Sequence, residues 1–157
     1  MKAIGIMRYG GPEVLEVIDV EEVNAGHEEI RIKNFASAVN PTDIVARSGM
    51  IARFRKDDPV FPSVPGMDVA GIVDQIGEAV SVDIKIGDRV MGMVIPNGNH
   101  GAYREQLILN QSAVVLAPKN SSHEEASTLP MNSLTARLSL DLLNLKSGQI
   151  IAVTGGP

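Results

Sequence analysis

Apolar and polar residues alternate in short bursts over the first three-quarters of the chain. In "EEIRIKNFASAV" (28–39), Ile30 and Ile32 alternate with Arg31 and Lys33, the two-residue period of a half-buried strand. Further short runs rich in β-branched residues occur at 13–22, 68–77, 88–95, 102–109 and 113–118. Gly-Gly-Pro, Asn-Ala-Gly, Gly-Glu, Ile-Gly-Asp and Pro-Asn-Gly-Asn turn signals separate them. Strands this short and this evenly spaced predict a closed or nearly closed β-barrel. One short helix is predicted over Thr42–Ser48, following Pro41.

The pattern changes near Pro118. Ser121 or Ser122, with Glu124 or Glu125 three residues on, predicts a capping box. Pro130 can open a second helix, with Leu134, Leu138, Leu142 and Leu145 along one face. "LKSGQ" breaks it, and "IIAVT" (150–154) reads as a buried strand of the kind found in parallel sheets. The organisation expected is a β domain over 1–120, linking helices over 121–147, and the opening of an α/β unit over 148–157.

Composition narrows the picture. Of 157 residues, 44% are hydrophobic but only 3% aromatic, so Val, Ile, Leu, Met and Ala must build the core. A net charge of −5 argues against nucleic-acid and anionic-membrane surfaces. With no secretory pattern and no apolar run of membrane-spanning length, a cytoplasmic protein is expected. There are no cysteines, which excludes disulfides and thiolate zinc sites. His27, His100 and His123 have no ligand spacing and read as loop or surface residues. "RFRKDDP" (53–59) reads as a solvated loop.

Three stretches stand in a fixed order: "SAVNPTDIVARSG", "PGMDVAGIVDQIGEAV" with "IGDRV", and the final "IIAVTGGP". The central one gives Gly66-Met67-Asp68-x2-Gly71-x5-Gly77-x2-Val80, then Gly87-Asp88-Arg89-Val90. Within a strand pattern, Gly71 and Gly77 predict bulges or close backbone approach. Asp88 and Arg89 are expected to pair locally at a turn. Together these stretches resemble the medium-chain dehydrogenase/reductase superfamily, and within it the zinc-independent quinone oxidoreductase branch. The resemblance implies a mainly β fold: a GroES-like, partly open barrel with short helices, then a linking helix and the first strand of a Rossmann domain absent from this chain.

The zinc branch of that superfamily has His-Glu where this chain has Met67-Asp68. Its catalytic metal positions align with Asn40, Met67 and Met131, and a thioether or an amide is a poor zinc ligand. The resemblance therefore implies no zinc. Without a Lewis acid, hydride transfer from NADP(H), favoured over NAD(H), to a quinone or an α,β-unsaturated carbonyl is the expected chemistry. Asn40 is the leading catalytic and cofactor-binding candidate; the alternative for it is capping the helix after Pro41. Asp43 is expected to be structural. Thr135 matches the family threonine that faces the nicotinamide, and is the second catalytic and cofactor-binding candidate.

Some quinone reductases carry a tyrosine two residues after the Asp; here that position is Val45, which leaves the proton donor unidentified, with bulk water as one candidate. Tyr103, Arg104 and Glu105 fall in a strand pattern and receive no chemistry. Met50, Ile51 and Phe54 are either cleft residues or loop hydrophobes. Gly155 and Gly156 would begin a pyrophosphate loop. The full-length protein is expected to be a homodimer acting on a small molecule. The 157-residue chain alone is expected to be inactive, with the strand 150–154 either disordered or paired with another chain. A stand-alone GroES-like interaction domain is the alternative from another class, and a zinc-type alcohol dehydrogenase a weaker third.

Overall fold

A computed structural model describes residues 1–54 and 60–155 of the chain. The 53–59 loop therefore falls largely outside the described residues, as does Gly156. Among the described residues, seven strands and three α-helices form: β1 Lys2–Gly5, β2 Glu16–Asp19, β3 Glu29–Ala36, α1 Pro41–Arg47, β4 Asp68–Ile76, β5 Arg89–Met93, β6 Gln106–Asn110, β7 Val114–Leu116, α2 His123–Ser127 and α3 Pro130–Leu143. The fold is mainly β, as the turn-punctuated pattern predicts.

β1 and β2 make a two-stranded antiparallel sheet. The other five form a second sheet in the order β6-β3-β4-β5-β7, antiparallel throughout. Chain order forces this sheet to curl. β6 and β7 are its opposite edges, yet only Gln111–Ala113, one turn of 3₁₀-helix, joins them. Five flat strands would set the edges about 19 Å apart, while four residue steps reach at most about 14 Å. The sheet thus rolls around Ile30, Ile32, Val69, Val73, Val90, Val94 and Leu107, all buried. It remains a partly open barrel, because β6 and β7 are not paired with each other.

Gly71 lies within β4 and Gly77 directly follows it. A Cβ on Gly71 would lie 2.1 Å from the Lys33 carbonyl oxygen, beside a register shift between Asn34 and Ala36 on the facing strand. A Cβ on Gly77 would lie 1.9 Å from the carbonyl oxygen of Gly26. Both are close backbone approaches, as the sequence pattern predicts, although Gly77 stands just past the end of the strand. The expected Asp88–Arg89 pair does not form. Asp88 fixes the turn differently, accepting from the Lys85 amide at 2.8 Å, while the Arg89 guanidinium donates to the Ser121 carbonyl and ties β5 to the segment entering α2.

The capping box at α2 is made by Ser122 and Glu125: the Ser122 hydroxyl accepts from the Glu125 amide at 3.1 Å, and the Glu125 carboxylate accepts from the Ser122 amide at 2.8 Å. α3 opens at Pro130 and ends before Asn144, which takes a left-handed conformation (φ 47°). Leu134, Leu138 and Leu142 do share the helix, but none is buried by the described chain. Residues 150–154 form no strand, and Ile150 and Val153 stand exposed. A parallel-type strand needs a neighbour for its backbone groups, and none lies beside it among the described residues. Among these residues, no helix is long and apolar enough to cross a membrane.

Replacing Gly71 or Gly77 with alanine is expected to lower stability by about 1–3 kcal/mol each, since the facing atoms are backbone and cannot rotate away. Urea denaturation of the single variants measures it.

Candidate functional site

The site is built around Asp68, the first residue of β4. Its carboxylate is 1% exposed and accepts two hydrogen bonds. Oδ2 receives the Asn40 Nδ2–H at 2.6 Å, and Oδ1 receives the Met131 backbone N–H at 2.7 Å. Met131 is the second residue of α3, so its N–H is one of the free donors of a helix start. A carboxylate there also meets the positive end of the helix dipole. Asp68 thus fastens the start of α1 and the start of α3 to the same strand.

A second buried carboxylate, Asp43, does similar work one layer away. It accepts from the Asn40 amide at 2.9 Å, the Gly66 amide at 3.0 Å and the Tyr103 hydroxyl at 3.2 Å. Gly66 holds φ 104°, a conformation that turns its N–H toward Asp43 at little steric cost. Asp43 is structural, as expected. Asn40 is the N-cap residue of α1, and its side-chain amide reaches Asp68. Tyr103 lies just before β6, outside the strand, and hydrogen-bonds both Asp43 and the Ala38 carbonyl. Burial, with the nearby Asp43 charge, pushes its phenol well above the ordinary value near 10. Tyr103 is therefore a poor proton donor at neutral pH.

Thr135 stands one turn beyond Met131, exposed, its hydroxyl donating to the Met131 carbonyl at 2.8 Å. Asn40 and Thr135 are thus linked through Asp68 and Met131. Gly155 has φ 77° and open space around it; the structure brings it to none of these residues.

Beside α1 lies a cavity of about 630 Å³, in the range of small-molecule sites. Ile51, Val60, Phe61, Ile95 and Met67 give it apolar walls; Tyr9, Asp43, Arg47 and Asn97 add polar groups. Ile51 is thus a cleft residue, while Met50 is exposed and outside the lining. The side chain of Phe54 is outside the described residues. Asn40 does not line the cavity, although Met67 and Asp43 do. Among the described residues, no three His, Asp or Glu side chains converge as a metal group. The three histidines are scattered: His27 in an exposed turn, His100 in a loop bridge to Asn97, and His123 stacked on Phe35 at 4.8 Å.

Sequence patterns missed Asp68, Tyr103, Tyr9 and Arg47 as members of this region. Asp68 carried a usable signal: an acid opening the apolar run "VAGIV" must find donors once buried.

Asp68→Ala leaves the Asn40 amide and the Met131 N–H unsatisfied and should cost about 2–5 kcal/mol, read by urea denaturation. Because the Tyr103 pKa is raised on folding, its contribution is complete below about pH 10 and is lost as pH rises beyond that. The stability difference between wild type and Tyr103→Phe should therefore shrink in that alkaline range.

Three comparisons bear on this arrangement. The alcohol dehydrogenase GroES-like domain family matches residues 26–119. The chain is 35% identical to 2-methylene-furan-3-one reductase of Solanum lycopersicum, covering 99% of this chain and 41% of that protein. It is 34% identical to the chloroplastic NADPH-dependent alkenal/one oxidoreductase of Arabidopsis thaliana, with the same coverage. The structure of the quinone oxidoreductase from Coxiella burnetii superposes with a TM-score of 0.81 at 31% identity, over 94% of this chain and 46% of that one. The chain thus spans less than half the length of the relatives it matches. It belongs to the alcohol dehydrogenase GroES-like domain family, within the medium-chain dehydrogenase/reductase superfamily, and its relatives there include quinone oxidoreductases and enone reductases.

Proposed function

We propose that this chain is the substrate-side domain of an NADPH-dependent, zinc-independent reductase of quinones or α,β-unsaturated carbonyls. One observation carries the reading. At the positions where zinc-dependent members of the superfamily hold their metal stand Asn40, Met67 and Met131, and the acid beside them, Asp68, already accepts from Asn40 and Met131. An amide, two thioethers and a carboxylate occupied by N–H donors do not make a zinc site. Zinc therefore has no step in the reaction.

NADPH, when bound, supplies a hydride, which with one proton saturates an enone or converts a quinone to a hydroquinone. The relative named for NADPH and alkenals supports this cofactor and acceptor class. The residues of this chain fit a supporting role. The Thr135 hydroxyl donates to Met131, so its oxygen lone pairs are free to accept from the cofactor's carboxamide amine. Asn40 reaches that surface through Asp68, fixing the start of α3 and hence where Thr135 stands. Its second amide hydrogen can donate to the cofactor or to the acceptor carbonyl. Gly155 and Gly156 would contribute backbone N–H groups to a phosphate loop. The apolar cavity walls orient the acceptor and exclude water. With Tyr103 held neutral, protonation falls to solvent.

The polypeptide from the full reading frame tests this. With NADPH it should reduce 1,4-benzoquinone and but-3-en-2-one, fail to oxidise ethanol, and keep its rate in 1,10-phenanthroline. Thr135→Val should lower kcat/KM by about ten-fold, the scale of one positioning hydrogen bond, with the fold intact by circular dichroism. Alcohol oxidation abolished by the chelator would contradict the reading.

A further inference from the structure

Arg47 is a cation in the wall of the cavity with no ion-pair partner among the described residues. On α1, Asp43 and Arg47 stand four residues apart, the spacing at which carboxylate and guanidinium ordinarily meet. They do not meet here. Asp43 is held by the Asn40 and Gly66 amides and the Tyr103 hydroxyl, so its oxygens are engaged elsewhere. No ion pair among the described residues includes Arg47. The exposed Glu13 feels its charge only from beyond pairing distance. The Arg47 Nε is buried and, among the described residues, has no hydrogen-bond partner. Meanwhile the Arg47 carbonyl accepts from the Gly10 amide at 3.1 Å, which anchors the end of α1 to the loop that carries Tyr9.

A buried donor without a partner is costly. A guanidinium facing a cavity with mainly apolar walls favours a planar anion that takes two parallel N–H bonds. The rest of the wall, Ile51, Val60, Phe61 and Ile95, suits a hydrocarbon body. We propose that the cavity favours acceptors that carry a carboxylate, with Arg47 binding that group and the apolar walls holding the chain, so that amphiphilic enone acids are bound in preference to neutral acceptors of the same class. This specificity rests on the reading of the cavity as the acceptor site. Arg47 is a specificity-determining residue here and takes no part in hydride or proton transfer.

The test uses the complete 157-residue chain and two unreactive probes, 4-oxononanoate and its methyl ester. Each is titrated into ¹⁵N-labelled protein and followed at the amides of Ile51, Asn97 and Gly98. The keto acid should bind at least about ten-fold more tightly than the ester, as one charge-assisted bidentate contact implies. Arg47→Met should abolish that preference, while Arg47→Lys, which keeps the charge at the helix end, should retain part of it. The acid–ester comparison on the wild-type chain stands even if Arg47→Met fails to fold. Equal binding of acid and ester in the cavity, or a preference undiminished in a folded Arg47→Met, would overturn carboxylate selection and leave the acceptor site in place. Shifts of those amides with neither probe would overturn both.

Discussion

A carboxylate almost without solvent exposure needs donors, and Asp68 has two that belong to different helices. This constraint organises the region. The Asn40 amide brings the start of α1 to β4, and the Met131 N–H brings the start of α3 to the same atom group. Losing either donor would leave a charge in an apolar surround, where it is far more costly than in water. The geometry of Thr135, one turn along α3, follows from that anchor. What looks like a conservative departure, Asp in place of a family Glu, is the joint between the barrel and the helix that leaves it.

Asp43 shows the same logic with a different consequence. Three donors hold it toward Gly66 and Tyr103, and Arg47, four residues on, does not pair with it as the helix spacing would allow. A helix of seven residues thus carries both a saturated acid and a base whose Nε has no hydrogen-bond partner among the described residues. The first is a structural element of the barrel; the second faces the space where a ligand would sit.

Much of the fold could be read before any coordinates, because its cause is local. The alternation Ile30-Arg31-Ile32-Lys33 allows only one face inward, and β3 follows it. Ser122 and Glu125 satisfy a helix start through neighbours three residues apart, so α2 was visible too. Gly71 and Gly77 were recognisable as bulges or close approaches, since they interrupt an otherwise β-branched run. β1 was not separated from the opening residues, because four residues ending in glycine give too short an alternation. Asp88 and Arg89 look like a pair by adjacency, but each finds a better partner at Lys85 and Ser121. The strand expected at 150–154 is apolar enough but lacks a neighbour among the described residues, and sequence periodicity does not report neighbours. The site was only half legible. Asn40 and Thr135 could be named from motif positions, yet the atom that joins them, and the cavity with Tyr9 and Arg47, depend on contacts between residues tens of positions apart.

On the proposed reading, hydrogen bonds in this domain stand at the positions aligned with the zinc branch's metal ligands. The most direct measurement is a zinc titration of the ¹⁵N-labelled chain, followed at the backbone amides of Met67, Asp68 and Met131. With the Asp68 oxygens engaged by Asn40 and Met131, these amides should stay in place through a molar excess of zinc. Saturable shifts of all three at one equivalent would mean that Asp68 is a metal ligand in waiting, and that the hydrogen-bonded centre is not what holds this site together.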